Sequence, residues 1–134
     1  MQGLHLTADL HHCQCALQWL TDAAQLGSAC LQAVQASGLS AVQQAFHSFP
    51  ATPLGAGGVT ATVLLAESHL CVHTWPEQSA VTLDVYVCNF GADHSAKAHA
   101  LMDGLIALFN PAHVTRHTLH RGEVCLTTPE RSST

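Results

Sequence analysis

Glu67-Ser68-His69-Leu70-Cys71-Val72-His73-Thr74-Trp75-Pro76-Glu77 is the densest run of chemically capable residues in the chain, and Asp84-Val85-Tyr86-Val87-Cys88 follows shortly after. A serine in a tight connection between two strands can turn its hydroxyl onto the carbonyl that precedes it, here that of Glu67, where local strain and a nearby acid or base assist. The amide then becomes an ester. β-Elimination would release a chain ending at Glu67 and leave dehydroalanine at position 68, which hydrolyses to a pyruvoyl group with loss of ammonia. Each of these steps moves a proton, and an imidazole titrates near neutral pH, which suits His73 to that work. Taken singly, these residues also have ordinary readings: a turn pair for Ser68-His69, a sheet histidine for His73, a small buried hydrophobe for Cys88, plain core for Trp75 and Phe49.

Regular elements must hold these groups in place. Leu4 to Asp9 alternates with the period of a strand. From Asp22 to Ser37 the apolar positions follow helical spacing, Asp22 and Gln25 form a capping pair, and Gly38 supplies the stop. Leu39 to Phe49 is a weaker strand candidate, and the Pro- and Gly-rich stretch Pro50 to Gly58 must be loop. Three β-rich runs follow, Val59 to Ala66, His69 to Trp75 and Ala80 to Cys88. Asp93 is placed to cap a second helix from His94 to Phe109 that Asn110-Pro111 ends. His113 to Arg121 alternates again. This order predicts one α/β (α+β) domain, a two-layer sandwich in which an antiparallel sheet carries two helices on one face.

Alternation also sorts the side chains. Val81, Leu83, Val85 and Val87 should face the helices, leaving Thr82, Asp84, Tyr86 and Cys88 on the other side. By the same rule Leu70 and Val72 oppose His69, Cys71, His73 and Trp75, and Val59, Ala61, Val63 and Leu65 oppose Thr60 and Thr62. Trp75, Tyr86 and two cysteines suit bare solvent poorly, so this uncovered face predicts a homodimer with chemistry near its interface.

The composition sets outer bounds. The chain has 134 residues, with 11 His against 4 Lys plus Arg and a formal charge of -5. Phosphate recognition rests on Lys and Arg clusters that are lacking here, which argues against a nucleic-acid reader. Only 10% of residues are charged, a further sign that some surface faces another subunit. No apolar run approaches a membrane span, and the N-terminus does not read as a signal peptide, so a soluble cytoplasmic protein is expected. The six cysteines, Cys13, Cys15, Cys30, Cys71, Cys88 and Cys125, are expected to be thiols. Cys13 and Cys15 beside His11 and His12 lack the spacing of a zinc site, and no metal is expected.

The run ESHxxxHTWPE, with DVxxC after it, resembles the bacterial and archaeal S-adenosylmethionine decarboxylases. The resemblance also takes in Gly3-x-His5-Leu6, His47-x-Phe49 and the second helix, and extends to about Arg121. It implies a pyruvoyl-dependent enzyme whose proenzyme cuts itself between Glu67 and Ser68, giving a β chain of residues 1 to 67 and an α chain of residues 68 to 134. The pyruvoyl group made from Ser68 would be the electron sink for decarboxylation. His73 would accept a proton in processing, with Thr60 as the hydroxyl residue eight positions before the cleavage serine, where serine is expected. Threonine keeps the hydroxyl but is stiffer at χ1, so processing should be slower. Cys88 would be the proton donor in decarboxylation, Glu77 would bind the ribose hydroxyls, and Phe49 and Trp75 would pack on the adenine. The product would feed spermidine synthesis.

Two further departures stand out. Asn89-Phe90 follows Cys88 where glycine is expected, and the Pro50 to Gly58 loop is several residues longer than in the family's short members. Some relatives use arginine or ornithine with the same cofactor, so an arginine or ornithine decarboxylase is the alternative. A histidine-rich metal or pH-sensing module would need clustered imidazoles, whereas these are scattered. An unprocessed regulatory subunit of the same fold is distinguished only by whether the chain cleaves.

Overall fold

The structure, a computed structural model, describes residues 2–122. Six strands, β1 (Gly3–Cys13), β2 (Ala41–Ser48), β3 (Val59–Leu65), β4 (Ser68–Trp75), β5 (Ala80–Cys88) and β6 (Pro111–Arg121), form one sheet in the order β2-β3-β4-β5-β1-β6. Every pairing is antiparallel. Helices α2 (Ala23–Ser37) and α3 (Ser95–Phe109) pack over one face. The expected two-layer α+β sandwich is the observed one, and Cys125 lies outside the described residues.

The alternation in β1, β3, β4 and β5 sorts as the residue types dictate. Leu4, Leu6, Leu10, Val63, Leu70, Val81 and Val85 are buried against Leu26, Cys30, Val34, Leu101, Leu105 and Phe109 of the helices. The polar residues that alternate with them in β3, β4 and β5, among them Thr62, Cys71, His73, Thr82 and Asp84, are only partly buried and lie on the opposite, uncovered face. Thr74 is the exception, a polar residue in the core at 5% exposure. Its hydroxyl donates to the Leu20 carbonyl at 2.7 Å and accepts the Val59 N–H at 2.8 Å, so the burial strands no polar atom. Leu20 belongs to a single turn, α1 (Gln18–Thr21), too short to leave a periodic signal in the sequence.

Helix ends follow local chemistry. Asp22 accepts the N–H groups of Ala24 and Gln25, and the Gln25 side chain returns a bond to the same carboxylate. The Gln25 N–H is the main cause of a carboxyl held below its usual range. Gly38, at φ 88°, closes the helix. The second cap differs from expectation. His94, not Asp93, occupies the cap position of α3, because two side chains share the free N–H groups: Asn89 takes that of His94 at 2.8 Å and Asp93 that of Ser95 at 2.9 Å. Asn89 thus has a structural task where glycine was expected.

Candidate active site

The connection from β3 to β4 is the two-residue turn Ala66-Glu67, and Leu65 pairs directly with Ser68. Closing so tight a turn places Ser68 at φ 155°, outside the region L-residues ordinarily occupy. Backbone strain of this kind costs about 1–3 kcal/mol and persists only where the surroundings enforce it. Here they do. The Ala66 N–H donates to the Ser40 carbonyl at 2.8 Å, the Ser40 N–H donates to Glu67 Oε1 at 3.2 Å, and the Cys88 N–H donates to the Glu67 carbonyl at 2.8 Å. The carbonyl that the Ser68 hydroxyl would attack is therefore already polarised. A negative charge developing on that oxygen would meet a fixed donor, the arrangement that stabilises tetrahedral intermediates of acyl transfer. Glu67, Ser68 and Cys88 form one group.

Thr60, His73, Trp75, Glu77 and Phe49 form another. Thr60 Oγ1 and His73 Nδ1 are 2.7 Å apart across the β3–β4 ladder. The His73 and Trp75 rings lie side by side, and Phe49 meets His47 edge to face. Phe49, Thr60, His73, Trp75 and Glu77 line a cavity of about 370 Å³, closed on its far side by the loop 50–58. Aromatic faces, a single carboxylate and an imidazole–hydroxyl pair make a receptor for a planar ring that carries hydroxyl groups.

These two groups do not share a location. Ser68 pairs with Val87 and His73 with Thr82, so the two lie at opposite ends of β4. Five residues of extended strand span roughly 16 Å. Within one chain, His73 does not reach the Ser68 hydroxyl.

Beside Ser68 stands a cluster that residue patterns did not single out. Asp84 Oδ2 lies 2.9 Å from both His5 Nε2 and His69 Nε2, and Arg121 is 3.1 Å from His5 Nδ1. Arginine only donates, so His5 Nδ1 accepts and its proton sits on Nε2, facing Asp84. That tautomer offers the carboxylate a proton rather than offering a cation a lone pair, although the three side chains are close enough to surround one. Arg121 also lies over the Tyr86 ring, 4.8 Å from its centroid. The ring in turn covers Gly3, where a Cβ would stand 2.8 Å from it. A side chain at position 3 would have to displace the Tyr86 ring. The strand alternation alone puts Asp84 and His69 on this face; their joining to His5 and Arg121 depends on β1 lying between β5 and β6.

The remaining thiols behave as packing. Burial pushes Cys13 up to about 11 and Cys30 to about 12, and it also raises Cys71, against a hydrogen bond from Thr62. All five described cysteines are free.

An α+β sandwich with a strained serine at one end of β4 and an aromatic, carboxylate-bearing cavity at the other defines the class of a small-molecule enzyme. Comparison with known proteins is specific. The model of the S-adenosylmethionine decarboxylase family matches residues 4–122. An S-adenosylmethionine decarboxylase proenzyme of Aquifex aeolicus (strain VF5) is 36% identical over 123 residues, covering 91% of this chain and 82% of that one. That of Hydrogenobaculum sp. (strain Y04AAS1) is 35% identical over 120 residues, covering 90% and 81%. The crystal structure of the adenosylmethionine decarboxylase from Aquifex aeolicus VF5 superposes with a TM-score of 0.78 at 32% identity, covering 94% of this chain and 95% of that one. The chain belongs to the S-adenosylmethionine decarboxylase family.

Proposed function

We propose that the chain is the proenzyme of a carboxy-lyase that cleaves itself at Glu67-Ser68 and then decarboxylates S-adenosylmethionine to an aminopropyl donor for spermidine synthesis. The observation that carries this reading is Ser68 itself, strained at φ 155° behind a carbonyl held on the Cys88 N–H. The Ser68 hydroxyl adds to the Glu67 carbonyl carbon, the oxyanion rests on the Cys88 N–H, and the C–N bond breaks to leave an ester and a free amine. Removal of the proton from the α-carbon of residue 68 then expels the Glu67 carboxylate. The dehydroalanine left behind hydrolyses, with loss of ammonia, to the pyruvoyl group.

The strand spacing supports a base supplied by a second copy. The uncovered face of one chain packs on that of another, so that the Thr60–His73 pair of one protomer meets Ser68 of its partner. An unclothed face bearing Trp75, Tyr86 and Cys88 supports this homodimer, as does the 16 Å gap inside a single chain. The same pairing brings the cavity of one protomer to the cleavage site of the other.

The pyruvoyl ketone supplies the electron sink for loss of carbon dioxide. The chain's own residues do the rest. Phe49 and Trp75 stack the adenine, Glu77 accepts the ribose hydroxyls, and aromatic faces tolerate the sulfonium. Cys88, the last residue of β5, holds a proton on Sγ for the carbon that loses its carboxylate. Free thiols throughout the described residues fit a reducing cytoplasm.

Carbon dioxide release from carboxyl-labelled S-adenosylmethionine, arginine and ornithine, run in parallel, tests the substrate. Release from the first alone is expected; release from either amino acid in preference to it would overturn the assignment. Cys88→Ala keeps the backbone N–H that polarises Glu67, so this variant should still cleave while decarboxylating about 10²-fold more slowly or misplacing the proton. Unchanged turnover and product would remove Cys88 from its role.

A further inference from the structure

The segment from Phe49 to Val59 is a built element. The Phe49 N–H donates to the Gly58 carbonyl at 2.9 Å, and Thr52 and Gly55 exchange both backbone hydrogen bonds, at 2.8 and 2.9 Å. The Leu54 N–H donates to Thr52 Oγ1 at 3.2 Å. Pro50 and Pro53 fix φ at two more positions. The base of the loop is pinned by contact: a Cβ on Gly57 would stand 2.1 Å from the Phe49 carbonyl oxygen, and one on Gly58 2.1 Å from that of Thr74. What projects from this frame is a four-residue hairpin, Thr52 to Gly55, with Leu54 at its tip and 79% exposed.

Single exposed apolar side chains are ordinary. Leu54, however, lines the same cavity as Phe49 and Trp75, which are 51% and 38% exposed. Three large apolar side chains left open to solvent thus converge on one concave site, and His73 and Glu77 are the only titratable groups among its lining residues.

We propose that Leu54 is a specificity-determining residue, the third apolar wall of the nucleoside subsite, which selects a purine nucleoside over a free basic amino acid. This deepens the S-adenosylmethionine reading and rests on it. An adenine buries its faces and an edge against three apolar surfaces and leaves its ribose to Glu77. The cationic side chain of arginine or ornithine would reach Glu77 only by losing water against those same surfaces, with too few polar partners to replace it. Because the hairpin is held by its own hydrogen bonds and by close backbone contact, little ordering is needed when a ligand arrives.

5′-Methylthioadenosine carries the adenosine and the thioether without the amino acid, so its binding needs neither cleavage nor turnover. Calorimetric titration of the self-cleaved protein with this probe should give a Kd roughly tenfold weaker in Leu54→Ala than in wild type, and weaker still in Leu54→Asp. Val42→Ala, another exposed position outside the cavity, should bind as wild type does. Both Leu54 variants should show the wild-type fraction of cleaved chain by intact mass. Leu54 variants that bind the probe as tightly as wild type would overturn the proposal while leaving the substrate assignment in place. A wild-type protein that does not bind the probe would sink both.

Discussion

His73→Ala is expected to leave the chain in one piece. His73 and Thr60 are 2.7 Å apart on the open face, a pairing that orients the imidazole and leaves its other nitrogen to work on a proton. In the proposed sequence the α-proton of residue 68 is removed by this imidazole, and without it the ester has no efficient route to elimination. General-base catalysis contributes about 10² to 10⁴ in rate, so cleavage that is complete in wild type should be nearly absent in the variant on the same timescale. Carbon dioxide release should vanish with it, because the uncleaved chain has no ketone. Wild-type cleavage in His73→Ala, followed by denaturing electrophoresis, would refute the assignment.

Ser68→Ala is expected to be equally inert alone, yet the two inactive chains should rescue one another. If His73 acts on the Ser68 of a partner, a mixed dimer of Ser68→Ala with His73→Ala contains one complete site, assembled from the serine of one chain and the imidazole of the other. Random pairing makes half of the dimers mixed, so about a quarter of the wild-type number of sites should mature when the two are co-expressed in equal amounts. The cleaved chain should be the one that carries His73→Ala. An absence of cleavage in the mixture, with both variants folded, would place the whole site in one chain and contradict the strand spacing.

Much of this arrangement is legible in residue order, and the parts that are not have a common cause. Val81, Leu83, Val85 and Val87 declare their face because one side of β5 is buried under helices, and the period of a strand then fixes where Asp84, Tyr86 and Cys88 must be. Ser68 and His73 declare their separation by the same rule: five residues along a strand are roughly 16 Å, and an odd spacing sets the two positions on opposite sides of the ladder. Sharing a face is not sharing a site, a distinction that residue patterns alone leave easy to miss for Cys88 and His73. The link from His5 to Asp84 and Arg121 is of another kind. It joins residues 79 and 116 positions apart, and it exists only because β1 inserts between β5 and β6. Thr74 is similar, since its burial is permitted by a carbonyl in α1, a turn without a periodic signature. Asn89 is the converse case. Its departure from the family pattern becomes intelligible once its side chain is seen to accept the His94 N–H at the start of α3.

The most direct test of the account is the mass of the purified wild-type protein under denaturing conditions. Two chains are predicted, residues 1 to 67 and residues 68 to 134, the second beginning with a pyruvoyl group in place of an amine and therefore blocked to amino-terminal sequencing. A single mass for the intact 134-residue chain, unchanged after prolonged incubation at neutral pH, would contradict it.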